Sequence, residues 1–77
     1  MLRNLIANQF EGKHIIEVLA ELREMGIEPN PFTFEEDTTI ILEDYVDIPN
    51  SGGCSEYFKY EIEIINYHCR WSEMVED

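Results

Sequence analysis

Positive charge is scarce in this chain. Five lysines and arginines stand against seventeen aspartates and glutamates, for a net charge of −12. Such a surplus repels nucleic acid and anionic membranes, so no direct contact with either is expected, and it draws basic protein surfaces at low salt. Residues 1–10 lack the apolar run of a signal peptide, and no stretch of the 77 residues approaches the length of a membrane span. A cytoplasmic location is the expectation, the host cytoplasm if the source is viral. Two cysteines without an export signal, Cys54 and Cys69, point to reduced thiols and not to a disulfide framework.

Chemical signatures are missing as well. No nucleotide-binding or catalytic motif is present, and Cys54 in a glycine-containing loop with a histidine elsewhere is the one nucleophile-and-base candidate. His68 and Cys69 are adjacent, so on a strand they point opposite ways and cannot readily share a tetrahedral metal site. Glu35-Glu36-Asp37 and Glu43-Asp44 have no glycine-centred calcium loop. No cofactor and no metal are expected, and the chain is not expected to be an enzyme. Asn30-Pro31-Phe32 spells a peptide motif known from endocytic adaptors, but a helix-to-strand corner with Phe32 turned inward explains the same residues.

What the sequence does have is apolar periodicity. At 44% hydrophobic residues it is too apolar for a disordered acidic tail, and its length suits one domain with one small core. Leu2, Leu5, Ile6 and Phe10 have helical spacing, and Asn8 with Glu11 resembles a capping box, which predicts a short helix or irregular lead-in. A helix is predicted over residues 11–25, with Ile15, Leu19 and Leu22 inward and Ile16 and Val18 on the flank. Gly26 supplies its left-handed stop, Ile27 folds back on Leu22, and Pro29 and Pro31 exclude further helix.

From Phe32 the period becomes two. Phe32 and Phe34 predict a first strand, Asp37-Thr38 a turn, and residues 39–48 a second strand, with Asp44 interrupting its apolar face. Residues 49–53 read as a hairpin loop, and residues 56–71 as one long strand with Phe58, Tyr60, Ile62 and Ile64 on one side. The expected fold is α+β, with N-terminal helix or helices on one face of a three-stranded antiparallel sheet. Its core is expected to hold Leu19, Leu22, Phe34, Leu42, Phe58, Tyr60, Ile62 and Ile64.

That phase leaves Glu35, Asp37, Glu43, Asp47, Glu61 and Glu63 on the uncovered face, with Lys59 the sole cation. From Glu24 to Cys69 there are eleven acidic residues and that one lysine. Like charges facing one another across strands destabilise a sheet, so a face selected for stability alone would interleave cations. Solubility and discouragement of edge pairing are the simpler explanation. A carboxylate-bearing surface for a basic partner is the sharper one, with Tyr45 and Tyr57 as anchors. In size and charge the chain is similar to phage-encoded anti-restriction and anti-CRISPR proteins, a likeness of class and not of motif. It implies an inhibitor that occupies the basic groove of a nucleic-acid-handling enzyme as a DNA mimic. The alternatives are an immunity protein or antitoxin that neutralises a basic toxin nuclease, and an accessory protein that forms a homodimer or larger oligomer through Ile41, Ile65 and Trp71.

Overall fold

A computed structural model gives the fold over residues 2–47, 52 and 55–75, with the backbone alone at 3, 46, 47 and 55. A 3-10 turn, Leu2–Asn4, and a run of tight turns lead to helix α1, Ile15–Glu24. Three strands follow, β1 (Thr38–Asp47), β2 (Ser55–Ile65) and β3 (His68–Val75), in one antiparallel sheet of order β1-β2-β3. The α+β expectation and the helix-on-sheet arrangement hold.

Ten residues are too few for a helix to stand alone in water, so α1 depends on its buried stripe. Ile15, Val18 and Leu22, spaced three and four apart, are fully buried, and each contributes about 2 kcal/mol by area. Leu19 is half-buried and Ile16, 62% exposed, faces away from the core. The helix starts later than its periodicity suggested, because its cap is His14, whose Nδ1 accepts the Ile16 N–H at 3.1 Å. Asn8 does not cap a helix. It has φ +57° inside a turn, and its side chain accepts from the Ser72 N–H at 3.3 Å. At the far end Gly26 takes φ +74°, and the Ile27 and Gly26 N–H groups donate to the Leu22 and Arg23 carbonyls at 2.8 and 3.0 Å. This is the Schellman closure expected from Gly26 and Ile27.

Two strand assignments are corrected. Residues 32–37 form no strand, and Phe34, expected in the core, is 53% exposed. The segment before it makes one backbone bond to the sheet among the described residues, from the Asn30 N–H to the Ile41 carbonyl at 2.9 Å, while Phe32 packs on the core as an inward corner residue. The single long strand is instead two, β2 and β3, folded at Asn66-Tyr67. Both residues have positive φ, +54° and +63°, as a two-residue type I′ turn requires. The Asp37 carboxylate accepts the Asn66 N–H at 3.0 Å and the Glu36 carbonyl accepts the Tyr67 N–H at 2.8 Å, which holds this turn shut. Apart from Gly52, the predicted hairpin loop lies outside the described residues, as do Ile48 and Cys54.

One face of the sheet carries the core. Ile40, Leu42, Tyr60, Ile62, Ile64 and Cys69 are buried against the helix and against Leu2, Leu5 and Phe10 of the lead-in. Phe58 is half-buried beside them. Ser72 is the one fully buried polar residue among the described ones. The Tyr60 hydroxyl lies 2.7 Å from its Oγ and 2.7 Å from the Ile6 carbonyl. A hydroxyl has one proton, so Tyr60 donates to the carbonyl, which only accepts, and Ser72 donates to Tyr60. This relay ties the lead-in to the middle of the sheet.

Candidate protein-binding face

With the core on one side, strand alternation fixes what the other side presents. Register places Tyr45 opposite Tyr57, Glu43 opposite Lys59, Ile41 opposite Glu61, and Thr39 opposite Glu63. On the far side of β2, Lys59 faces Val75, Glu61 faces Glu73, and Glu63 faces Trp71. Side chains opposed in this way have their Cβ atoms about 4.5–5.5 Å apart. Glu43, Glu61, Glu63 and Glu73 therefore share one surface over three strands, and Lys59 is the only cation at its register positions.

The glutamates differ in how they are held. Glu43 is exposed and receives two hydrogen bonds, from the Tyr57 hydroxyl at 2.5 Å and from the Asn30 side-chain amide. The Tyr57 bond first, then the Asn30 bond, and to a lesser degree the Lys59 charge, hold its carboxyl below the usual carboxylate range. Glu43 thus stays ionised in mild acid, and its neighbours are arranged around the charged form. Glu61 is half-buried and pairs with Lys59 at 4.0 Å, a partly solvated contact that contributes little. Glu61 also faces Glu73, a like-charge pair across β2 and β3 that costs some tenths of a kcal/mol. Glu63, half-buried, lies beside the Trp71 ring position.

Six of the eight expected face residues are at register positions of this side: Glu43, Tyr45, Asp47, Tyr57, Glu61 and Glu63. Asp47 closes β1 opposite Ser55, and its side chain lies outside the described residues. Tyr45 and Tyr57 form a tilted ring pair with centroids 5.0 Å apart. Glu35 and Asp37 are not on the sheet, because residues 35–37 bend before β1 begins. Asp37 nevertheless lines a shallow depression with Thr39, Glu63 and Ile65 at the end of the face, whereas Glu35 is simply exposed.

Glu73 and Val75 were missed, and Trp71, expected as an oligomer contact with Ile41 and Ile65, joins them on this face. Once the chain turns at Asn66-Tyr67, their alternation with buried Ser72 and half-buried Met74 places them on the open side. A bulge between Glu63 and Ile64 leaves Arg70 as the extra residue of β3, and this shift allows Cys69 and Ser72 both to face the core.

Elsewhere the described residues offer little chemistry. Burial pushes the Cys69 thiol above its ordinary value, which suppresses the thiolate a nucleophile needs. His14 and His68 meet edge to face at 5.2 Å, and among the described residues no three metal-ligating side chains come together. No helix of the described residues is long and apolar enough to cross a membrane. Compared with family models, curated proteins and solved structures, the chain matches none.

Proposed function

We propose that the chain is a small acidic binding protein whose open sheet face occupies the basic, nucleic-acid-binding groove of an enzyme and thereby inhibits it. The observation that carries this reading is the register of Glu43, Glu61, Glu63 and Glu73 on one side of the sheet, flanked by Tyr45, Tyr57 and Trp71. The Glu61–Glu73 opposition costs stability where a lysine would add to it, which supports a use for the charge beyond folding. Alternate residues on β2 rise about 6.8 Å, comparable to two axial steps of about 3.4 Å along one DNA strand. The spacing supports imitation of a phosphate backbone. Aromatic rings among the carboxylates supply anchors of the type that dominate protein interfaces.

The partner's nature separates two forms of this reading. A host restriction or CRISPR effector makes the protein a phage-type inhibitor, and a toxin nuclease encoded next to it makes the protein an antitoxin. The test is to capture the partner with the tagged protein, identify it by mass spectrometry, and titrate the complex with duplex DNA. Competition between DNA and this protein for one site is the expected result. A partner that holds both at once refutes occupation of the groove.

A further inference from the structure

The two edges of the sheet are treated differently. Along β3 the lead-in covers the outer edge: the Asn8, Gly12 and Ile15 N–H groups donate to the Ser72, Cys69 and Tyr67 carbonyls at 2.5, 2.8 and 2.8 Å. Along β1 the outer edge has one backbone bond among the described residues, from the Asn30 N–H to the Ile41 carbonyl. Pro29 and Pro31 on either side of Asn30 have no N–H to offer a further strand, so this half of the edge is closed.

Since Ile41 bonds outward, alternation turns the N–H and C=O groups of Glu43, Tyr45 and Asp47 outward as well. Among the described residues, the backbone groups of Glu43 and Tyr45 find no partner on that side. We propose that this open half of β1, from Glu43 to Asp47, takes up an extended basic segment of the partner protein as a fourth strand. The proposal rests on the reading of the sheet as a surface for a basic protein and adds the form in which that protein binds.

Charge selects the occupant. Three of the five residues from 43 to 47 are acidic. A second copy pairing antiparallel about Tyr45 would set Glu43 against Asp47 twice, so like charge disfavours self-pairing. An incoming strand with lysine or arginine at alternate positions meets the opposite situation. On the core side of the sheet, Met25, Ile27, Glu28, Glu43 and Asp44 line a cleft of about 240 Å³ beside this edge. Its apolar residues suit the stem of a long cationic side chain and the Glu28 and Asp44 carboxylates suit the head. On the other side stands Tyr45, 68% exposed. Main-chain bonds would supply affinity, and the cleft would supply the preference for a long cation.

The test uses the whole protein and a capped hexapeptide of alternating arginine and valine as probe, titrated at low salt to millimolar concentration. Amide shifts and slowed hydrogen exchange at Glu43 and Tyr45 are expected. Two analogues, N-methylated at odd or at even positions, then separate strand addition from simple attraction. One should bind about tenfold or more weakly and the other like the parent, because only alternate N–H groups face β1. Equal binding of both analogues, or shifts confined to Glu61, Glu63 and Glu73, overturns strand addition while leaving the open face as the contact. Absence of binding also overturns it, and charge reversal on the open face then decides the parent reading separately. Slow exchange at Glu43 and Tyr45 before peptide is added, with a doubled mass by light scattering, means that a second copy holds the edge and equally overturns the proposal.

Discussion

The relay from Ser72 through Tyr60 to Ile6 joins the lead-in to the sheet, and Tyr60→Phe removes its middle member without changing the ring. The Ile6 carbonyl retains the Gln9 N–H at 3.3 Å, so its loss is partial. Ser72 is fully buried and is left with the Cys69 sulfur, a weak acceptor, for its hydroxyl proton and a long contact from the Phe10 N–H, at 3.5 Å. A buried donor without a good acceptor costs about 1–3 kcal/mol, and a sulfur compensates only weakly, so about 2 kcal/mol is expected. For a chain of 77 residues with total stability of about 4–12 kcal/mol, that is a large share. The melting temperature should fall by about 8–16 °C. Ser72→Ala alone leaves Tyr60 its bond to Ile6 and should cost about 1 kcal/mol. The double variant removes the stranded hydroxyl together with its partner, so its cost should stay near that of Tyr60→Phe, giving a coupling of about 1 kcal/mol. Urea unfolding of the four proteins measures the cycle. Additive costs, or a loss below about 0.5 kcal/mol for Tyr60→Phe, refute the relay.

Three further outcomes are expected. Burial raises both the Cys69 thiol and the Tyr60 phenol, so the folded state favours their neutral forms and the unfolded chain loses these protons first. The stability this confers is full below the unfolded thiol range near about 8.5 and is lost as pH rises, at up to about 1.4 kcal/mol per pH unit for each group. Urea midpoints from pH 7 to 11 should show that decline, with its first part absent in Cys69→Ala and its later part absent in Tyr60→Phe. Gly26→Ala should cost about 1 kcal/mol by thermal melting: a Cβ there meets nothing within 4 Å, so the penalty is that of φ +74° alone, and Gly26→Asn should cost less. In a Cys54→Ser background, Cys69 should resist iodoacetamide at pH 8 until urea unfolds the chain, and rapid labelling of the native protein would contradict its burial.

Elements decided by local chemistry were legible in the sequence. Gly26 followed by Ile27 and Pro29 marked the helix end, and the unbroken alternation of Tyr60, Ile62 and Ile64 fixed which side of β2 is buried. The fold at Asn66-Tyr67 was hidden because tyrosine is a rare occupant of a positive-φ site, where glycine is the usual signal. Contacts from Glu36 and Asp37, distant in sequence, hold the turn. Phe34 alternated like a strand residue, yet among the described residues only Asn30 makes a backbone bond on the outer side of β1, and nothing in the local pattern encodes that. His14 does not belong to the usual capping residues, so the helix start shifted by several positions. For the candidate face, β1 and β2 were read in phase. Glu73 was lost with the missed turn, Glu35 was placed on a strand that does not form, and Asp37 on the turn after it.

If the open face is the working surface, the double reversal Glu61→Lys with Glu63→Lys should weaken binding without unfolding the protein. In the free protein the change relieves the opposition of Glu61 to Glu73, although it also ends the weak Lys59–Glu61 pair, so the melting temperature should hold within a few degrees. Binding loses two attractive charges and gains two repulsive ones, chiefly through slower association at low salt. Affinity for the captured partner, measured by surface plasmon resonance at low and moderate salt, should fall by several kcal/mol, about a hundredfold or more. The same reversal on the helix, Glu17→Lys with Glu21→Lys, should cost much less. Unchanged affinity of the sheet-face variant at both salt concentrations, or equal losses from face and helix, would contradict a local acidic surface and leave the charge as a solubility device.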